Sequence, residues 1–312
     1  MDTEIGYLHH VGHIVGDIAQ AREVYQKLGF LCPAPAYPVL ERIAGEPATP
    51  FGVANMHATF MRNFVEILAV VTQESHLPLD AHPIPLQIPP AAFAQVVESM
   101  ERTIAKISAS LARFEGLHIV VFQTEDANLS AQRFDQTGVG HSGVNRVQQP
   151  HQLIPMGVVE IDREEVPEGR LAVAENPVFE APGPQASLHH PNGAVDLVES
   201  MLCVPDAQIE AYVEGYQRYL GRVARKDGAV RVFDLRESCV KLVPDSWLAS
   251  TLPGETAPAL PAFVAYAVAV RDLASTRQWL ESNGVGVHAE PSGGIFVPAR
   301  GALGAAVIFR QA

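Results

Sequence analysis

The order of apolar and polar positions repeats four times along this chain. In each copy an apolar run ends in Asp, a helix-length amphipathic stretch follows, and a Gly closes it. The first copy reads His10-Val11-Gly12-His13-Ile14-Val15-Gly16-Asp17 and runs through Tyr25 to Leu28-Gly29. The second runs from His118 through Asp126 to Gly138, the third from Met201 through Asp206 to Gly221, and the fourth from Ala267 through Asp272 to Gly284. Asp17 and Gly29, Asp126 and Gly138, and Asp272 and Gly284 are each twelve residues apart; Asp206 and Gly221 are fifteen apart. Repetition at a fixed spacing marks repeated structural units.

Each residue of the repeat has a physical role. The Asp is placed to cap a helix by accepting hydrogen bonds from its free N–H groups, and Asp17 with Gln20 has capping-box spacing. The Gly suits the left-handed position at a helix C-terminus. Between them Ala21, Val24, Tyr25 and Leu28 fall at helical spacing. Alternating runs such as Val230–Leu235 and Cys239–Val243 predict antiparallel strands after the helix. Val53–Met61 and Phe64–Val70 predict a hairpin turning at Arg62-Asn63. The unit is therefore βαβββ, and the fold class is α+β with four such modules.

Several segments interrupt the repeat. Ser75–Pro90 predicts a surface excursion. Ala91–Phe114 predicts an inserted helix, with Phe93, Val96, Val97, Met100, Ile104, Ile107 and Leu111 on one face. Pro177–Gln185 predicts a connector, His189-His190-Pro191-Asn192-Gly193 leads into the third module, and Thr251–Pro261 links the third to the fourth. With two modules per domain, the domains are expected at 1–190 and 191–312.

Composition narrows the function. A length of 312 residues suits two domains. The net charge of −13 argues against nucleic acid or an anionic membrane surface as partner, because phosphate binding needs concentrated Lys and Arg. Cys32, Cys203 and Cys239 show no CxxC spacing, which fits a reducing compartment. The start Met1-Asp2-Thr3-Glu4 lacks a signal-peptide pattern, and no apolar run reaches membrane-helix length. The expected location is the cytoplasm and the expected partner a small molecule, with a homodimer as the compatible assembly.

Leu8-His9-His10-Val11 before Asp17, and the helix ending Tyr25…Leu28-Gly29-Phe30, resemble the opening of the vicinal oxygen chelate superfamily, which includes glyoxalases, bleomycin-resistance proteins and ring-cleaving dioxygenases. Gly52-Val53-Ala54-Asn55-Met56-His57 and Phe64-Val65-Glu66-Ile67-Leu68 are similar to segments of its glyoxalase-like group, and His190-Pro191-Asn192-Gly193-Ala194 is similar to a junction in longer members. The resemblance implies two tandem glyoxalase-like domains, each a cup of two modules, with a divalent metal at the floor held from the first and last strands of each module.

For the first domain the resemblance implies His10 and Glu66 as metal ligands, with His118 and Glu175 as the candidates from module two. Imidazole and carboxylate suit Zn, Fe, Mn or Ni without selecting one. His118 departs from the pattern: it stands eight residues before its Asp where His10 stands seven, so Ile119 is the register equivalent of His10, and a one-residue slip turns a side chain to the other face unless a bulge absorbs it. Asn55 and His57 lie on a strand expected to line the same cup and are the candidate substrate-binding residues. In the second domain the position of His10 falls at Glu199 and Ala265, and the last strand, Ala305–Phe309, has no acid, so that domain is expected to be degenerate. The function implied is a metal-dependent isomerase, lyase or dioxygenase acting on a small oxygen-bearing molecule; the alternative is a metal-free binding protein of the bleomycin-resistance type.

Overall fold

The computed structural model describes residues 4–42, 45–148, 153–176 and 189–312; the connector expected at 177–185 lies outside them. All four modules have the βαβββ order. The first contains β1 (Ile5–Ile14), α1 (Ile18–Lys27), β2 (Ala36–Leu40), a two-residue β3 (Thr49–Pro50), β4 (Gly52–Thr59) and β5 (Phe64–Val71). Then come β6 (His82–Pro85) and the inserted α2 (Phe93–Arg113). Module two is β7 (Gly116–Thr124), α3 (Ala127–Thr137), β8 (Asn145–Val147), β9 (Met156–Glu160) and β10 (Arg170–Glu175). Module three is β11 (Ala194–Val204), α4 (Ile209–Leu220), β12 (Arg225–Asp227), β13 (Val230–Asp234) and β14 (Cys239–Pro244), followed by α5 (Asp245–Thr251). Module four is β15 (Ala262–Val270), α6 (Leu273–Ser282), β16 (His288–Ala289), β17 (Ile295–Val297) and β18 (Ala306–Gln311).

The first strands of paired modules lie side by side at the centre of each sheet. β1 pairs antiparallel with β7, and each is flanked on its other side by the parallel last strand of its own module, β5 or β10. The same plan places β11 against β15, flanked by β14 and β18. One pairing, Phe263 with Leu117, joins the two sheets. The segment expected to be a surface excursion, 75–90, is exposed where it adds β6 to β2 in parallel.

Asp17, Asp126 and Asp272 cap α1, α3 and α6 through their side chains. Asp206 does not. In copy three the three extra residues form a 3-10 turn, Asp206–Gln208, ahead of α4, and the Asp206 carboxylate accepts from Ser246 N and Oγ instead. All four closing glycines have positive φ, between 64° and 82°, the region an L side chain adopts at a cost.

A second repeated device became visible only in the strand register. Each first strand carries an extra residue in the central pairing at the same place, His9 in β1, His118 in β7, Val198 in β11 and Val264 in β15, and β1 and β11 carry a second one three residues earlier, Gly6 and Val195. In every copy the shared extra residue stands eight positions before the repeat Asp. Such a bulge bends the strand and re-aims the residue beside it.

The faces under the helices form a continuous apolar core through both halves, in which Leu8, Val11, Tyr25 and Phe30 meet Tyr266 and Phe309. Polar contacts reinforce the junction. His190 accepts from Leu31 N through Nδ1 and donates from Nε2 to the Thr59 carbonyl, both at 2.9 Å. Glu168, fully buried just before β10, accepts a 2.9 Å bond from the Tyr216 hydroxyl of α4. On the inner face of the first sheet, α2 packs Ile107 onto Ile14, Leu68, Ile119, Val121, Ala172 and Ala174. Ile107 alone of that helix is buried, so α2 sits across the cup rather than within it.

Candidate functional site

On the inner face of module one, register brings three ligand-type side chains together. Glu66 in β5 has Gly12 of β1 and His57 of β4 as its strand neighbours, while His10 is aligned with Phe64. Alternation along β4 turns Asn55 and His57 to the same partly exposed side and buries Ala54, Met56 and Ala58 on the other. Gly12 is required by close approach: a Cβ there would lie 2.7 Å from the Cβ of Ile119.

The two oxygens of Glu66 face different imidazoles. Oε2 is 3.8 Å from His10 Nε2, and Oε1 is 3.6 Å from His57 Nε2. Both gaps exceed a good hydrogen bond and approach the roughly 3.3 Å between ligand atoms that ~2.0–2.1 Å metal bonds produce. Phe64 stacks on His10 with centroids 4.5 Å apart and planes 10° from parallel. His9 Nδ1 and His10 Nδ1 lie 2.8 Å apart, so one ring carries a hydrogen there and the other a lone pair.

Burial sets the charge states. It drives the pKa of His10 down to about 3, against the opposing pull of Glu66, and that of His9 down to about 4. Both imidazoles are therefore neutral near pH 7, the form that binds a metal. Burial raises the carboxyl of Glu66, but the nearby His57 imidazole and the charges of His10 and Arg170 outweigh it and hold the group below its ordinary range. The result is an anionic carboxylate between two imidazole nitrogens. This donor set suits a divalent metal, although among the described residues no group of three or more His, Cys, Asp and Glu forms a ready-made cage.

The structure keeps His118 and Glu175 apart from this cluster. His118 is the bulge residue of β7 and so corresponds to His9, not His10; the His10 position is Ile119. Its Nε2 donates to the Phe114 carbonyl at 2.8 Å and its ring stacks on Phe114. Glu175, aligned with Thr124, accepts from Ala127 N, Gly157 N and Arg146. It thus serves the N-terminus of α3, where a carboxylate is favoured. The position matching Glu66 in module two is Ala172, aligned with Val121 as Glu66 is with Gly12.

The second half shows what stands at the positions of His10 and Glu66. Glu199 occupies the His10 position, and Lys241, aligned with Met201, occupies that of Glu66. Lys241 Nζ lies 2.8 Å and Arg310 Nη1 2.5 Å from Glu199 Oε2, while Arg310 also binds Glu290. Two carboxylates are thus balanced by an ammonium and a guanidinium. In module four the matching residues, Ala265 and Ile308, are apolar. Sequence reading located Glu199 but missed Lys241 and Arg310, because their role depends on register and not on ligand chemistry.

Comparison with known proteins places this geometry. A sequence profile described as a glyoxalase-like domain matches residues 8–220, more than half of the chain. No curated protein sequence matches. Among solved structures, a mutant of 4-hydroxymandelate synthase from Streptomyces coelicolor aligns with a TM-score of 0.62 at 12% identity, over 99% of this chain and 93% of that one. A hypothetical protein from Staphylococcus aureus aligns with a TM-score of 0.57 at 9% identity, over 99% and 100%. A xylose isomerase-like TIM barrel/4-hydroxyphenylpyruvate dioxygenase fusion protein aligns at 0.52 and 11%, over all of this chain and half of its own. At these identities the likeness concerns the fold.

Proposed function

The chain belongs to the glyoxalase-like domain family, and we propose that its first cup is the active site of a metal-dependent enzyme acting on a small oxygen-bearing molecule. The observation that carries this reading is the half-buried Glu66 carboxylate with one imidazole facing each of its oxygens. His10 and Glu66 are the protein ligands, and His57 is the third donor. Withdrawing a carboxylate from water costs free energy, and a divalent cation would offset that cost. The bound metal would act as a Lewis acid on substrate oxygens.

The other residues have positioning roles. With His10 Nε2 turned to Glu66, His10 Nδ1 donates to His9 Nδ1 and holds the ring, as outer partners of metal-bound imidazoles do. Phe64 fixes its plane. Asn55, on the inner face two residues from His57, offers a donor and an acceptor to substrate. Dioxygenase, lyase and isomerase chemistry all remain compatible, since a fold does not fix a reaction.

The test is metal analysis of untagged protein incubated separately with Zn, Mn, Fe and Ni and then desalted. About one equivalent is expected, lost in His10→Ala and in Glu66→Ala. A wild-type protein that retains none of the four would overturn the reading in favour of a metal-free binding cup.

A further inference from the structure

Beside the His10–Glu66 cluster, under α2, a small open cleft lies over the module-two half of the inner face. Its walls are apolar, from Ile14, Ile107 and Ile119, and its rim carries Lys106, Arg163 and Arg170. On a chain of net charge −13 this is a local excess of positive charge. One carboxylate opposes it: Glu160, 3.7 Å from Lys106 and 3.2 Å from Arg170. Among the described residues the Arg163 guanidinium makes no hydrogen bond or ion pair. Its charge instead bears on His118, whose pKa is lowered first by burial.

Arg170 ties the cleft to the cluster. It is aligned with Ile119 as Phe64 is with His10, and its charge acts on both His10 and Glu66. One small molecule lying across the inner face can therefore reach both places.

We propose that this cleft binds the anionic end of the substrate, a carboxylate or phosphate on a compact apolar body. The apolar body rests on Ile14, Ile107 and Ile119. The anion meets Arg163 and Arg170, whose planar forks match carboxylate and phosphate oxygens, with Lys106 as a point charge. The oxygen-bearing end then points along the floor toward Glu66. The proposal rests on the reading that this cup holds a small organic substrate, and it names that substrate's charge.

Calorimetric titration of the full chain with phenylacetate, phenyl phosphate and neutral phenylacetamide tests it. The anions are expected to bind at least about tenfold more tightly than the amide, the difference one charge-assisted hydrogen bond makes. Tighter phenyl phosphate assigns the site to phosphate, and tighter phenylacetate to carboxylate. The exposed Lys106→Ser/Arg163→Ser pair is expected to remove at least about tenfold of the anion affinity while metal content and melting temperature stay at wild-type values. Equal binding of amide and anion, no binding of either anion, or unchanged affinity in the double variant would overturn it. The Glu66→Ala protein separates the two claims: if it still binds the anion but the wild type holds no metal, the cleft stands and the metal reading falls.

Discussion

Glu168 offers a sharp test of how the two halves are joined. Its side chain is fully buried; Oε1 accepts from Tyr216, and Oε2 is buried without a partner. Its charge bears on Tyr212 and Tyr219 of α4, and Arg113 is the cation that acts on it. Burial pushes its carboxyl from the ordinary 4.5 up to about 7, against weaker opposing pulls from its own backbone, Tyr216 and Arg113. Below pH 4.5 the carboxyl is protonated in both folded and unfolded chains and costs nothing. As pH rises from 4.5 to 7 the unfolded chain releases the proton first, so stability falls, and above 7 the loss is complete. At ~1.4 kcal/mol per pH unit the loss is roughly 3 kcal/mol. Glu168→Gln keeps the acceptor for Tyr216 and removes the ionisation. Urea unfolding at pH 5 and pH 8.5 is expected to show the variant near wild type at the lower pH and more stable by roughly 3 kcal/mol at the higher. The histidines titrate alike in both proteins and cancel in the difference. A gap between the two proteins that is the same at both pH values would refute the reasoning.

Arg310→Met leaves Glu199 and Glu290 short of a buried cation, and a loss of ~3–5 kcal/mol in denaturant unfolding is expected. His118→Ala is expected to leave metal content unchanged, measured as for His10→Ala, because its ring bonds Phe114 and not Glu66. Gly29→Ala places a Cβ 2.6 Å from Trp279 Nε1 at a φ of +82°; a drop in unfolding free energy of more than ~1 kcal/mol is expected, by strain and overpacking together.

Much of this architecture was legible in the sequence because it is local. Asp17, Asp126 and Asp272 cap the helices that follow them, and the closing glycines take the left-handed conformation, since both effects act within one turn. Asp206 misled because three extra residues give the chain a second way to start a helix. The bulges could not be read, since an extra residue exists only relative to a partner strand. Once the register is known, it resolves the ambiguity at His118 and explains why Ile119 is the counterpart of His10. The family resemblance put His57 on a strand expected to line the cup, but its position directly across from Glu66 required the pairing of β4 with β5. The network of Glu199, Lys241, Arg310 and Glu290 joins residues far apart in sequence, and no periodicity announces it.

The recurring bulge also bears on how such a chain changes over evolutionary time. All four copies keep the extra residue eight positions before the repeat Asp, yet the residue it aims is His10, Ile119, Glu199 or Ala265. The copies thus share a backbone that presents a side chain at this point, while the side chain itself differs in each. A duplicated unit of this kind can lose one chemistry and acquire another by exchanging two residues, one on its first strand and one on its last. The second half shows the same two strands carrying a different pair, with the Lys241 ammonium 2.8 Å from the Glu199 carboxylate.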